Sequence, residues 1–233
     1  MEREHLNLIQ NSIKNTTIYT KEVKVDVLSK TESEITLTDL DSVSAIFEYA
    51  KENKKMAILN FASYKNAGGG FIRGSKAQEE CLCYESFLYN VLRAFETKFY
   101  VKNRKDLNRS LYENKALYSS DIHFYRDELE TCCDVITCAA PNFLAAHRQG
   151  VTRNENNKVL QSRIQYILDV ASINHVNTLI LGAFGCGVFG QNPQDVANIT
   201  RILIKNYDFQ NVVFAILDAK SENYKAFEKV FNK

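Results

Sequence analysis

Residues 56–80 read MAILNFASYKNAGGGFIRGSKAQEE. An apolar run, Met56 to Ala62, gives way to polar residues and then to three consecutive glycines, Gly68, Gly69 and Gly70. A short apolar run bounded by turn residues is the pattern of a strand buried on both faces. The glycines mark backbone that turns sharply or closes on another group. Gln78, Glu79 and Glu80 then open a stretch, Gln78 to Glu96, that reads as one helix. Strand, glycine loop and helix form the repeating unit of α/β folds, whose ligands bind outside the carboxyl ends of the strands.

The unit recurs at residues 178–206. Thr178 to Leu181 is apolar, GAFGCGVFG follows over residues 182–190, and Pro193 suits the first turn of a helix running to Asn206. Of nine glycines, Gly74 joins the first cluster and only Gly150 lies outside the two. Further strands are expected over Val23 to Leu28, Glu34 to Leu37, Val135 to Ala139 and Val212 to Leu217. Helices are expected over residues 2–14, Asp41 to Asn53 with Asp41 or Ser42 as cap, Asn157 to Asn174, and Glu222 to Phe231. Asn103 to Asn114 is polar and reads as a loop or short helix. The alternation predicts one α/β domain over 1–233, its mostly parallel sheet between helices. Residues 1–50 are expected to form a helical and extended N-terminal appendage packed on the core.

Bulk properties narrow the class of protein. The chain has 233 residues, 45% of them hydrophobic and 24% charged, with a formal net charge of +1. That supports a sizeable core and supplies no field to draw in nucleic acid. Neither a signal-like start nor an apolar run near the roughly 20 residues of a membrane helix is visible. A cytoplasmic, soluble protein is expected. The cysteines at 81, 83, 132, 133, 138 and 186 form no CxxC pair, so reduced packing thiols are expected and no metal site.

The chemistry lies in the two loops. Bare N–H groups of Gly68 to Gly70 are expected to face phosphates. The loop from Gly182 to Gly190, leading to a helix N-terminus, is expected to cradle a diphosphate. It is neither GxGxxG in register nor followed by Lys-Ser/Thr, so it matches no dinucleotide or Walker fingerprint. Glu79 and Glu80, adjacent on a helix, point about 100° apart and cannot flank one bond from opposite sides. One is expected to reach the reacting atoms and the other to orient substrate, their repulsion raising one pKa.

The run GGG, seven residues, QEE resembles the signature of the bacterial-type poly(ADP-ribose) glycohydrolases. GAFGCGVFG resembles their diphosphate loop, and YSSDIHFYRD (118–127) and ITCAAPN (136–142) resemble two further runs. The likeness covers about residues 15–231. It implies a macrodomain-like three-layer α-β-α sandwich with a mixed sheet. The implied activity is hydrolysis of ribose–ribose bonds in poly(ADP-ribose), mainly from the free end, without cofactor or metal. It implies Glu80 as catalytic acid and Glu79 as holder of the terminal ribose hydroxyls. Gly68, Gly69, Gly70 and the loop of Gly182, Ala183, Phe184, Gly185, Cys186, Gly187, Val188 and Phe189 would wrap ribose and diphosphate, Phe189 packing on the terminal ribose. Gln78 belongs to the motif, and Asn60 and Asn66 are both candidates for ribose contact. Phe71, Tyr84 and Phe87 are candidates to stack adenine. Ala67 and Phe184 stand where proline and tryptophan are common, and neither removes a catalytic atom. Expected partners are poly(ADP-ribose), ADP-ribose and ADP-ribosylated proteins, with no membrane, no direct nucleic-acid binding, and a monomeric state. The competing readings are a mono-ADP-ribosyl hydrolase, a non-catalytic ADP-ribose reader and a metal-dependent nucleotide hydrolase.

Overall fold

The structure, a computed structural model, describes residues 2–23, 25, 32–50 and 54–231. The elements in chain order are α1 (Glu2–Asn15), β1 (Thr17–Tyr19), β2 (Glu34–Thr38), α2 (Ser42–Tyr49), β3 (Met56–Phe61), α3 (Gln78–Tyr84), α4 (Leu88–Ala94), α5 (Val101–Arg104), β4 (Ala116–Arg126), β5 (Leu129–Cys138), α6 (Phe143–His147), α7 (Arg153–Ile173), β6 (Thr178–Leu181), α8 (Pro193–Ile204), β7 (Asn211–Ala215) and α9 (Glu222–Phe231). One seven-stranded sheet has the order β1-β4-β5-β3-β6-β7-β2. β3 pairs parallel with β5 and β6, and β7 parallel with β6 and β2. β4 is antiparallel to β5 and β1 to β4. The carboxyl ends of β3 and β6, each followed by a glycine loop, are therefore neighbours on one edge.

Both faces are covered, as the apolar runs require. Along β3, Ala57 and Leu59 face one core with Leu160, Ile164 and Ile167 of α7, Val196 of α8 and Phe227 of α9. Met56 and Ile58 face the other, with Val43 and Ile46 of α2, Leu82 of α3 and Val91 of α4. The alternation is the period of two that a central strand imposes. The first 50 residues carry both edge strands, β1 pairing with β4 and β2 with β7.

Asp41 caps α2, accepting from Val43 N at 2.9 Å and Ser44 N at 3.0 Å. The expected strand over Val23 to Leu28 lies outside the described residues except for Val23 and Val25, as do residues 51–53 of the helix expected after Asp41. Two expectations are corrected. The helix expected over Gln78 to Glu96 is two helices. Ser86 breaks it, accepting from Leu88 N at 3.0 Å, while Tyr125 N donates to the Glu85 carbonyl at 2.8 Å. The strand expected at Val135 is the end of a ten-residue strand, β5, in a long hairpin with β4. Ser119, Ser120 and Asp121 interrupt the apolar pattern of β4 at a bulge and hid it.

Arg163 of α7 is fully buried, and burial pushes its pKa down. Its guanidinium donates to the Ala139 carbonyl, to Asn114 Oδ1 at 2.7 Å and to the Leu111 carbonyl at 3.3 Å. It thus pins the chain leaving β5. Arg163→Met orphans these acceptors and should cost about 2–4 kcal/mol in urea unfolding. A loss below about 1 kcal/mol would mean that the carbonyls find other donors.

Candidate active site

At the end of β3 the Gln78 side chain substitutes for backbone. Its Oε1 accepts from Phe61 N at 2.8 Å, and its Nε2 donates to the Leu59 carbonyl at 2.9 Å and to Ser42 Oγ at 3.2 Å. This clamp docks the first turn of α3 on the strand end and the start of α2. Glu79 and Glu80 are thereby carried inward, 3% and 6% exposed. Such burial of acids demands dedicated donors.

The donors come from the first glycine loop. Ser63 N donates to Glu79 Oε2 at 2.7 Å, Asn60 Nδ2 donates to Glu79 Oε1 at 3.4 Å, and the Gly68 amide also hydrogen-bonds Glu79. Gly70 N donates to Glu80 Oε1 at 2.6 Å, and Gly69 N donates to the Asn66 carbonyl at 3.1 Å. The expectation that these three amides face phosphates is therefore corrected. Those of Gly68 and Gly70 meet the two carboxylates that α3 presents as it folds back, and that of Gly69 closes a turn onto the Asn66 carbonyl. Gly69 has φ +59°. A Cβ there would lie 2.8 Å from Glu79 Oε2 and closer still to Glu80 Oε1. Only glycine allows both carboxylates to close on the loop.

Burial pushes the Glu79 carboxyl up to about 8. Hydrogen bonds from Ser63 and Asn60 oppose the shift, and repulsion from Glu80 adds a smaller push. Desolvation rather than repulsion is thus the main cause. Asn60 Oδ1 has no partner among the described residues, and turning its amide over would offer an acceptor to the proton of neutral Glu79. Between the ordinary value of 4.5 and about 8, the folded state holds a proton that the unfolded chain has released. Stability should fall as pH rises through that window, by up to about 1.4 kcal/mol per pH unit. Glu79→Gln should flatten the fall, which denaturant unfolding at pH 5 and pH 8 would measure. An unchanged pH dependence would mean Glu79 is ionised throughout.

Glu80 Oε2 is buried and makes no hydrogen bond among the described residues. Glu80 lines a cleft of about 760 Å³ together with Asn66, Gly69, Gly70, Gln78 and Glu79 on one side. Ala183, Phe184, Gly185, Gly187, Val188 and Phe189 line the other side. In this second loop Gly190 N bonds the Gly187 carbonyl at 3.0 Å and Gln191 N the Gly185 carbonyl at 3.0 Å. The N–H groups of Gly185, Gly187, Val188 and Phe189 form no hydrogen bond among the described residues. Successive free amides of this kind make an anion-binding concavity. The following helix adds none, correcting that part of the expectation. Pro193 has no N–H, and Gln194 N and Asp195 N donate to Asn192 Oδ1 at 2.9 and 3.1 Å. A buried amide pair holds the loop's far end: Gln191 Nε2 donates to the Pro141 carbonyl at 2.7 Å, and Asn156 Nδ2 to Gln191 Oε1 at 2.8 Å.

Four expected ligand contacts sit behind the cleft surface. Asn60 is fully buried against Glu79, and Gly68 packs under Tyr89. Gly182 is wedged between the Ala215 carbonyl and Phe61. Cys186 turns away, its thiol pushed up to about 12 by burial and so unreactive. Phe184 lines the floor, 2% exposed, edge-on to Phe61 at 5.8 Å between centroids. Phe71, Tyr84 and Phe87 do not line the cleft. Phe71 packs on Tyr84 and Tyr89, and Phe87 on His5 and His123. Sequence reasoning missed Asp41, Glu85 and Arg126, which line the far end. Arg126 donates to Glu85 Oε2 at 2.5 Å and Oε1 at 2.7 Å, and to Asp41 Oδ1 at 3.2 Å. Its run, 118–127, carries a resemblance but no local signal that pairs it with Asp41.

The family model for the microbial-type PARG catalytic domain, that of poly(ADP-ribose) glycohydrolase, matches residues 2–127. The chain belongs to this family. The match takes in β3, the first loop and both glutamates, and the second loop lies beyond it. Solved structures extend the likeness. The poly(ADP-ribose) glycohydrolase of Thermomonospora curvata is 29% identical, with 97% of this chain and 89% of that one covered at a TM-score of 0.86. The same enzyme bound to the inhibitor ADP-HPD matches with 29% identity, 97% and 88% coverage and a TM-score of 0.83. That of Deinococcus radiodurans in complex with ADP-ribose is 28% identical, with 96% and 97% covered at a TM-score of 0.82. No curated protein matches the chain. Among the described residues of this microbial-type family member, no helix is long and apolar enough to cross a membrane.

Proposed function

We propose that this member of the poly(ADP-ribose) glycohydrolases hydrolyses the ribose–ribose bond at the free end of the polymer, with Glu80 as its acid and then its base. The observation that carries the assignment is Glu80 itself. Gly70 N holds one carboxylate oxygen, and the other is buried on the cleft without a partner. As the acid, Glu80 donates a proton to the leaving 2′-oxygen as the bond to the anomeric carbon breaks. Positive charge growing at that carbon is stabilised by the nearby diphosphate. The Glu80 carboxylate then takes a proton from the water that adds there, so one water is consumed and Glu80 is restored.

Glu79, kept neutral at pH 7 by burial, can both donate to and accept from the terminal ribose hydroxyls. The free amides of Gly187, Val188 and Phe189 take the diphosphate. Phe189, backed by Tyr112 at 6.1 Å and by the Tyr112–Tyr64 stack at 4.3 Å, closes that end. A closed end favours a chain terminus. On this reading the substrates are ADP-ribosylated proteins, met in the cytoplasm.

The test is free ADP-ribose released from automodified poly(ADP-ribose) in EDTA. Release is expected. Tight ADP-ribose binding without release would make the chain a reader instead, and release abolished by EDTA would make it metal-dependent.

A further inference from the structure

The two walls of the cleft carry anion-binding groups of different kinds. The second loop offers backbone amides, and none of the described cleft-lining residues on that loop is a cation. The cations among the described lining residues are Arg73, Lys76 and Arg126. Arg126 is committed to Glu85 and Asp41. Arg73 and Lys76 are exposed, and their side chains make no ion pair or hydrogen bond with any described residue. Both sit on the short overhang between Gly70 and α3.

That overhang is tied directly to the acid. Arg73 N donates to the Gly70 carbonyl at 2.9 Å and Ser75 N to the same carbonyl at 3.2 Å, while Gly70 N holds Glu80. The two cations thus line the same cleft as Glu80, on a segment whose backbone is bonded to the residue that holds the acid. A bond cleaved at Glu80 has two sides. On the glycohydrolase reading, the departing unit meets the neutral dipoles of the second loop. The chain left behind carries a diphosphate in every unit, a polyanion that the uncommitted cations of the lining, Arg73 and Lys76, suit.

We propose that Arg73 and Lys76 form a second anion subsite, which takes the diphosphate of the unit next to the one being released. The subsite rests on the glycohydrolase reading and adds a residue-level account of how polymer is preferred over free ADP-ribose. Exposed cations suit this role. They grip a polyanion by charge without requiring a fixed geometry, and they let go as the chain steps forward.

The test uses the full chain. Arg73→Ala with Lys76→Ala should lower kcat/KM on poly(ADP-ribose) about tenfold at low salt, through KM, and flatten its salt dependence by about two in the log–log slope. Affinity for free ADP-ribose should stay at the wild-type value, which also shows that the variant folds. Arg73→Lys with Lys76→Arg should restore the rate. Lys158→Ala with Lys205→Ala, removing two exposed cations away from the cleft, should change neither quantity. The subsite is overturned if polymer turnover is unchanged, or if ADP-ribose affinity falls in step with it. A wild type that releases no ADP-ribose would overturn the glycohydrolase reading, and the subsite with it.

Discussion

Glu80→Gln should lower ADP-ribose release from poly(ADP-ribose) by about 10²–10⁴-fold, the usual worth of a positioned acid–base group. The substitution keeps size and burial. The Gln Oε1 can still accept from Gly70 N, which bonds Glu80 at 2.6 Å in the wild type. The other carboxylate oxygen, which has no partner among the described residues, is replaced by an amide that cannot deliver a proton to the leaving oxygen or take one from water. The loss should therefore fall on kcat, with ADP-ribose affinity within a few-fold of wild type. A release assay beside an ADP-ribose titration separates the two. Near-normal turnover would remove Glu80 from the mechanism and shift attention to Glu79.

Gly69→Ala should be nearly as damaging by a different route. The new methyl would lie 2.8 Å from Glu79 Oε2 and closer to Glu80 Oε1. Both are ends of flexible side chains, so they would swing away rather than unfold the loop. That displaces the two acids at once, and a misplacement near 1 Å costs on the order of 10²-fold in rate. The backbone adds a separate penalty, since φ is +59° and an L-residue there costs about 1–2 kcal/mol. Thermal unfolding should show that modest loss, and the release assay the large one. A variant that unfolds outright would mean that the loop cannot absorb the methyl. A fully active variant would mean that the carboxylates need not touch Gly69.

Much was legible from residues alone, and for a common reason. Strands buried on both faces must be continuous apolar runs, so Met56 to Phe61 and Thr178 to Leu181 stand out. Backbone that must accept a close neighbour excludes side chains, so the two glycine clusters marked the two walls of the cleft. Pro193 and Asp41 announced helix starts through local chemistry that needs no partner elsewhere. The run GGG to QEE placed Glu79 and Glu80 beside the first loop.

How each group of the candidate site is placed depends on contacts distant in sequence. Nothing local says that the amides of Gly68 and Gly70 turn inward to the two glutamates, while those of Gly187, Val188 and Phe189 stay without a partner among the described residues. That follows from the fold-back of α3 on the end of β3, clamped by Gln78. Nor does any local pattern show that Asn60 stands behind Glu79, that Arg126 reaches Asp41 across 85 positions, or that Ser86 ends α3 against the β4–β5 hairpin. The rise of Glu79 to about 8 has the same origin. A carboxyl's affinity for its proton depends on how much water its surroundings exclude, and here that exclusion is created by chain segments that meet only when the sheet has formed.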